Sequence, residues 1–250
     1  YLAAAGVGRI TIVDPDRVDV SNLQRQVLYT AADAGRPKAE VAARRLRALN
    51  DCIEIVPLVA RLERANALAL IGDCDVVVDG SDNFATRYLV NDACALAGKP
   101  FVYGAIQGFT GQLSVFNWRG GPTYRCLFPE PPEPGTVPTC GEAGVLGVLP
   151  GLIGTAQATE AVKLLAGVGE PLSGRLLLWD ALTMRMQTVA FAADPRAREI
   201  RELPPEAPTS CGLPAAAEEE ISPEELRALL AGPNPPRVLD VREPAEWASG

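Results

Sequence analysis

"CDVVVDGSDN", residues 74–83, decides how the rest of the chain is read. Three consecutive valines, Val76, Val77 and Val78, leave no polar face, which predicts a strand covered on both sides in a parallel sheet. Asp79, Ser81 and Asp82 follow it. In open α/β sheets the carboxyl ends of the strands are where ligands collect.

Upstream, "RITIVDPDRVDVSNLQRQ" at 9–26 has the same plan, with the apolar Ile10, Ile12 and Val13 running into Asp14. Asn22, Gln24, Arg25 and Gln26 then crowd together without the glycine or proline of an ordinary turn. That segment reads as one that holds a nucleotide. Between the two stretches, 36–50 repeats Ala42, Leu46 and Leu49 at helical spacing, with Pro37 suited to its first turn. Residues 53–59 read as a strand whose Pro57 suggests an edge, and 65–71 as a short helix. Downstream come a helix over 83–96 and strands at 101–106 and 111–117. The alternation predicts βαβ units in a doubly wound, mainly parallel, Rossmann-like α/β domain.

Residues 118–139 are too rich in Pro and Gly for a regular element, and a loop of that length is usually a functional crossover. It leads to the glycine-dotted 140–167, a helix ending at Gly167, and then to a closing hairpin over 174–182 and 186–192. Residues 193–220 turn to Pro, Ala and Glu and read as a linker. A second pattern begins at 221–250, where "SPEELRALL" carries an N-cap Ser222 and Pro223 at the first helical position. The chain itself reads as a piece of a longer one. "YLAAAGVG" opens without methionine, as the last turns of a helix closing on Gly6 or Gly8, and "EPAEWASG" stops in mid-pattern.

Composition narrows the chemistry. With 23 basic against 31 acidic residues and a net charge of -8, the chain lacks the basic footprint of a nucleic-acid binder. No apolar run approaches a bilayer span and no signal peptide opens the chain, so no membrane partner is expected. Cys52, Cys74, Cys94, Cys126, Cys140 and Cys211 show no secreted spacing, which predicts a reducing cytoplasm. The sequence contains 0 histidines, which excludes Ser-His, Cys-His and His-ligated metal chemistry within these residues.

The candidate ligand set follows from residue type and place. Asp14 is positioned for a ribose hydroxyl. Arg25 and Lys38 supply positive charge for phosphates, Asp82 a carboxylate for magnesium, and Asn22 and Gln24 hydrogen bonds. On charge and position alone the same residues are equally ordinary loop polars. The strand-plus-acid pattern also fits an NAD-linked oxidoreductase, although Arg25, Lys38 and Asp82 together suit a triphosphate with magnesium better.

"DPDRVDVSNLQRQVLYTAADAGRPKAEVAARRL", "DGSDNFATRYLVNDAC", "YRCLFPEPP" and "CGEAGVLGVLPGLIGTAQATEAVKLLAG" resemble the MoeB/ThiF/HesA family over residues 1–192. These are the adenylating relatives of the ubiquitin-activating enzymes. The resemblance implies adenylation, by ATP, of the C-terminal Gly-Gly carboxylate of a small ubiquitin-like sulfur carrier, with release of pyrophosphate. It places Asp14 on the ribose, Ser21, Asn22, Leu23, Gln24 and Arg25 along the ATP site, and Lys38 on the phosphates. Asp82 with Asn83 would place magnesium and the reacting groups. Cys140 falls where many members carry a reactive thiol that links to the carrier. Members form homodimers in which a partner arginine reaches the ATP site. The chemistry is compatible with a chain lacking histidine, because the attacking carboxylate is already ionised at neutral pH.

Many members also hold zinc with two C-x-x-C pairs. Here Thr123 replaces the first cysteine and only Cys211 follows the hairpin, so no zinc is expected, with Cys126 and Cys211 left as relics or packing residues. The tail "LDVREPAEW", with Asp240, Arg242, Glu243 and Trp247, resembles the start of a rhodanese domain, which would supply sulfur. Adenylation of a sulfur carrier is the expected activity, in molybdopterin or thiamine synthesis or tRNA thiolation. A non-catalytic carrier-binding scaffold is the other reading.

Overall fold

The computed structural model describes residues 1–132, 144–203, 223–230 and 232. Cys140, Cys211 and the rhodanese-like residues 237–247 lie outside the described residues. The chain divides into two compact units, Tyr1–Cys211 and Gly212–Gly250.

The first unit opens with a tight turn in which the Gly6 N–H donates to the carbonyl of Ala3 at 3.1 Å, and Gly6 adopts φ 80°. Strand β1 (Arg9–Val13) then pairs in parallel with β2 (Glu54–Leu58), from Arg9 opposite Glu54 to Val13 opposite Leu58. Helix α1 (Lys38–Leu49) makes the crossover, burying Ala39, Val41, Ala42 and Ala43. Pro37 precedes its first turn, where a missing N–H costs nothing. Pro57 is tolerated in β2 because β1 is the strand's sole ladder partner among the described residues.

A short helix, α2 (Arg64–Gly72), leads to β3 (Val77–Asp79) and helix α3 (Phe84–Ala97), and β3 pairs in parallel with β4 (Phe101–Gln107). Both βαβ units therefore have the expected form. From β4 onward the ladder is antiparallel, through β5 (Thr110–Phe116), β6 (Arg175–Asp180) and β7 (Arg185–Ala190). The five-stranded order β3-β4-β5-β6-β7 makes the closing antiparallel portion the larger part of this sheet. Short hairpins join β4 to β5 and β6 to β7, which makes those pairs antiparallel, while β5 reaches β6 through the long 117–174 connection.

One expectation fails at β3. Val78 is 39% exposed, so the valine run is not covered on both faces. In the five-stranded sheet β3 is the edge strand with β4 as its neighbour, and an edge leaves one flank open. The strand that is fully enclosed is β4, with Phe101, Val102 and Tyr103 at 0 to 2% exposure. Its alternation divides the core. Phe101 and Tyr103 join Tyr88, Phe116 and Tyr124 on one face, while Val102 joins Leu113, Val115, Ala161 and Leu164 on the other. The aromatic rings of the first face lie 5.1 to 5.7 Å apart along Tyr88, Tyr124, Phe116 and Tyr103. Burying each such ring contributes on the order of 2–3 kcal/mol.

The second face is covered by helix α4 (Leu149–Ala166), which closes on Gly167 at φ 65°. Two sheet glycines let it come close. A Cβ on Gly111 would stand 2.4 Å from Ile153 Cδ1, and one on Gly104 would stand 2.4 Å from Gln157 Cδ.

Residues 194–203, read as the start of the linker, are tied to the rest of the first unit at single points although most of them are exposed. Leu203 is 5% exposed in the aromatic core, and its carbonyl accepts from Arg64. Cys126 explains part of this. Its Sγ accepts the backbone N–H groups of Thr123 and Asp194, each at 3.3 Å, while the Thr123 hydroxyl donates to the carbonyl of Ala197 at 3.1 Å. Cys126 is thus a hydrogen-bonding joint between two turns, not a relic. In the second unit the described residues form helix α5 (Pro223–Leu230), as Ser222 and Pro223 predict. No helix among the described residues is long and apolar enough to cross a membrane.

Candidate functional site

The carboxyl ends of β1 and β3 carry the residues singled out for nucleotide chemistry. Asp14 directly follows β1 and accepts the Asp16 N–H at 2.8 Å, a turn that fixes the carboxylate at the strand end. The chain then runs through Asp19, whose side chain accepts the Ser21 N–H at 2.7 Å and caps the 3-10 turn Val20–Asn22. That turn sets Ser21, Asn22, Leu23, Gln24 and Arg25 in order, with the N–H groups of Arg25 and Gln26 donating to the Asn22 carbonyl at 3.1 and 2.9 Å. Asn22 also donates its amide to the Ser21 hydroxyl at 3.2 Å. The segment before α4 presses against this loop: a Cβ on Gly147 would lie 2.4 Å from the backbone oxygen of Gln24. Only glycine permits that approach.

Lys38 begins α1 almost fully buried, and its Nζ donates to Asp16 Oδ2 at 3.0 Å. Burial pushes the Asp14 carboxyl up, the Asp16 N–H and the Lys38 ammonium oppose that rise, and the charges of Asp16 and Asp82 add to it. The charges of Asp16, Lys38 and Asp82 therefore all reach the Asp14 carboxyl, although they come from the loop after β1, α1 and the loop after β3. Tyr29 belongs to the same neighbourhood: burial, and then the Asp14 charge, push its hydroxyl up to about 12.

Asp82 is exposed, and among the described residues its side chain bonds the Asn83 amide alone, at 3.4 Å. Asn83 in turn caps α3, accepting the Thr86 N–H at 2.8 Å, so the amino end of that helix starts beside the Asp82 carboxylate. An exposed carboxylate with spare acceptor oxygens has the donor chemistry that magnesium prefers alongside phosphate oxygens. Arg25 is half-buried and makes no ion pair or side-chain hydrogen bond among the described residues. No contact joins it to Asp82. Lys38 and Asp82 thus both act on the Asp14 carboxyl, and Arg25 sits on the neighbouring loop as an unspent cation among the described residues.

Three residues of this region, Asp16, Tyr29 and Arg87, were not singled out in the sequence. Asp16 holds the lysine, and Tyr29 neighbours Asp14. Asp79 and Arg87 lie behind Asp82, with Arg87 Nη2 donating to the Ser81 carbonyl at 3.0 Å. Arg87 carried a signal, since an arginine in the apolar run of α3 needs a buried partner. Asp16 and Tyr29 carried none.

The ThiF family profile matches residues 1–199. Among known relatives, the sulfur carrier protein adenylyltransferase of Thermus thermophilus is 55% identical over 201 residues, covering 78% of this chain and 74% of that protein. A Mycobacterium tuberculosis protein named "Probable adenylyltransferase/sulfurtransferase MoeZ" is 48% identical over 258 residues, covering 99% of this chain. The chain spans 65% of MoeZ, slightly under two thirds of its length. Among solved structures, E. coli MccB with MccA-N7isoASN superposes at a TM-score of 0.68 and 20% identity, over 78% of this chain and 60% of that one. MccB with ATP superposes at 0.65, over 78% and 59%. At that identity the likeness is one of fold.

Proposed function

Because the chain belongs to the ThiF family, we propose that it catalyses the ATP-dependent adenylation of the C-terminal carboxylate of a small sulfur-carrier protein. The observation that carries this reading is the placement of Asp14 and Asp82 just past the carboxyl ends of the first strands of two parallel βαβ units, with the buried Lys38 ammonium held by Asp16 beside Asp14. The names of the relatives support the substrate class. The carrier we infer ends in a Gly-Gly pair.

In the reaction a carboxylate oxygen of the carrier attacks the α-phosphorus of ATP. A new oxygen–phosphorus bond forms, and the bond from the α-phosphorus to the bridging oxygen breaks. Pyrophosphate leaves with that electron pair. No proton has to be removed from the nucleophile, so alignment and neutralisation of charge are what the protein must supply. Asp14 accepts a ribose hydroxyl and fixes the nucleoside. Asn22 and Gln24 donate hydrogen bonds along the polyphosphate. Lys38 and Arg25 take up the charge growing on the leaving group. Lys38 already donates one hydrogen bond to Asp16, and the other N–H groups of its ammonium are the donors for phosphate oxygens. Magnesium, when bound, neutralises phosphate oxygens, and Asp82 with Asn83 is the pair that fits it.

In the complete protein, the rhodanese-like segment would deliver the sulfur that displaces AMP, with Cys140 as the candidate covalent link to the carrier. A homodimer would complete the nucleotide site. ATP–pyrophosphate exchange by the complete protein with a Gly-Gly-tailed carrier tests the reading. Carrier-dependent exchange is the expected outcome, and a folded protein that exchanges with no such carrier contradicts it.

A further inference from the structure

Directly behind the Asp82 loop lies a pair of buried charges to which the reaction assigns no role. Asp79, the last residue of β3, is 3% exposed, and Arg87 on α3 is 7% exposed. Arg87 Nε stands 3.5 Å from Asp79 Oδ2, while Nη2 donates to the Ser81 carbonyl at 3.0 Å. The other carboxylate oxygen of Asp79 accepts the Ser81 N–H at 2.9 Å. Both polar groups of the Ser81 peptide backbone are therefore held by this pair, one residue before Asp82.

The strand end is gripped from the opposite side as well. Gln157 of α4 donates to the Asp79 carbonyl at 2.7 Å and to the Val102 carbonyl at 3.1 Å, in the space left by the missing side chain of Gly104. Aromatic rings surround the guanidinium, with the Tyr103 centroid at 5.2 Å and that of Phe84 at 5.7 Å. For stability alone, such a site is a poor choice. A buried ion pair rarely beats well-packed apolar side chains, and here Asp79 Oδ2, Ser81 Oγ and Arg87 Nε are buried without a hydrogen-bond partner among the described residues. Buried polar atoms left unmet in this way call for a reason beyond packing. Hydrogen bonds of a catalytic centre are often long before substrate binds and tighten in the complex.

We propose that Arg87, with Asp79, is a positioning residue for the adenylation step: it fixes the 79–82 turn, and so the Asp82 carboxylate, without touching substrate. This rests on the adenylation reading. Its distinguishing consequence is that Arg87 acts through Asp82. Once Asp82 is neutralised, loss of Arg87 has little further effect on turnover.

The test is ATP–pyrophosphate exchange by the complete protein with a Gly-Gly-tailed carrier, comparing wild type, R87Q, R87K, D82N and R87Q/D82N. Exchange by the wild type is read first, and its absence counts against the adenylation reading itself. Given that exchange, R87Q lowers kcat by about 10²-fold, the scale of a small misplacement of a reacting group, while the KM for ATP changes by less than about threefold. R87K recovers part of the loss, because it keeps the charge facing Asp79 but not the forked hold on Ser81. R87Q/D82N is little slower than D82N, as expected when two residues act as one unit. Folded R87Q with wild-type kcat overturns the proposal, and so do losses that multiply in the double variant. If R87Q fails to fold, R87K and R87K/D82N supply the same comparison.

Discussion

Asp82 and Lys38 are where single atoms matter most. Asp82 is exposed, and among the described residues its side chain bonds the Asn83 amide alone, so Asp82→Asn leaves the fold unchanged and acts on chemistry alone. Loss of one preorganised electrostatic group typically costs about 10²–10³-fold in kcat, and steady-state exchange kinetics with a parallel thermal melt should show that loss at an unchanged Tm. Lys38→Met keeps the buried stem and removes the ammonium. Its partner Asp16 is 60% exposed, so stability should fall by no more than about 1 kcal/mol, while kcat falls by about 10²-fold. A Lys38→Met variant that melts early but turns over normally would reassign the lysine to structure. At this scale the sequence was legible where a residue type stands at a strand end. Asp14 and Asp82 were singled out on that ground and Lys38 for its charge, and the charges of Lys38 and Asp82 both act on the Asp14 carboxyl. Asp16 was not, because an acid three residues past a strand looks like any turn until the lysine it holds has been folded against it.

At the scale of elements, the parallel βαβ units followed from alternation of strands and helices, whereas the position of β3 in its sheet did not. A run of valines specifies a strand but not its neighbours, so the enclosed strand proved to be β4. The tied-down 194–203 segment was hidden for a similar reason: its composition is that of a linker, and only Cys126 and Arg64 show what it binds. The seat of α4 depends on Gly104. Gly104→Ala would drive Gln157 from its two buried carbonyl acceptors and should lower stability by about 1–3 kcal/mol in denaturant unfolding. The turn before α1 supplies a pH test. Asp33 is buried, accepts from the Thr30 hydroxyl at 2.8 Å and N–H at 3.0 Å, and pairs with Arg44 and Arg45. The Thr30 hydroxyl first, then its N–H and the two arginines, hold the Asp33 carboxyl down at about 2, from an ordinary value of 3.8. A depressed carboxyl stabilises the fold above its unfolded pKa, and that contribution fades as pH falls from 3.8 toward 2. The Tm advantage of wild type over Asp33→Asn should therefore be constant from pH 7 to 5 and shrink below pH 4. A gap that widens on acidification would show that the carboxylate is not what the arginines stabilise.

For the molecule as a whole, the competing readings differ in ligand. A dinucleotide oxidoreductase needs no magnesium carboxylate beside its phosphates, and a carrier-binding scaffold needs no nucleotide at all. A ligand that binds the folded state raises its melting temperature, so the complete protein should be stabilised by ATP with magnesium and not by NAD. The most direct measurement is the intact mass of a Gly-Gly-tailed carrier after incubation with the complete protein, ATP, magnesium and pyrophosphatase. The account predicts a carrier heavier by one adenylyl group, with AMP released when a sulfur nucleophile is added and no modification with Asp82→Asn. A carrier of unchanged mass, while the same protein converts ATP to ADP or leaves it intact, would contradict it.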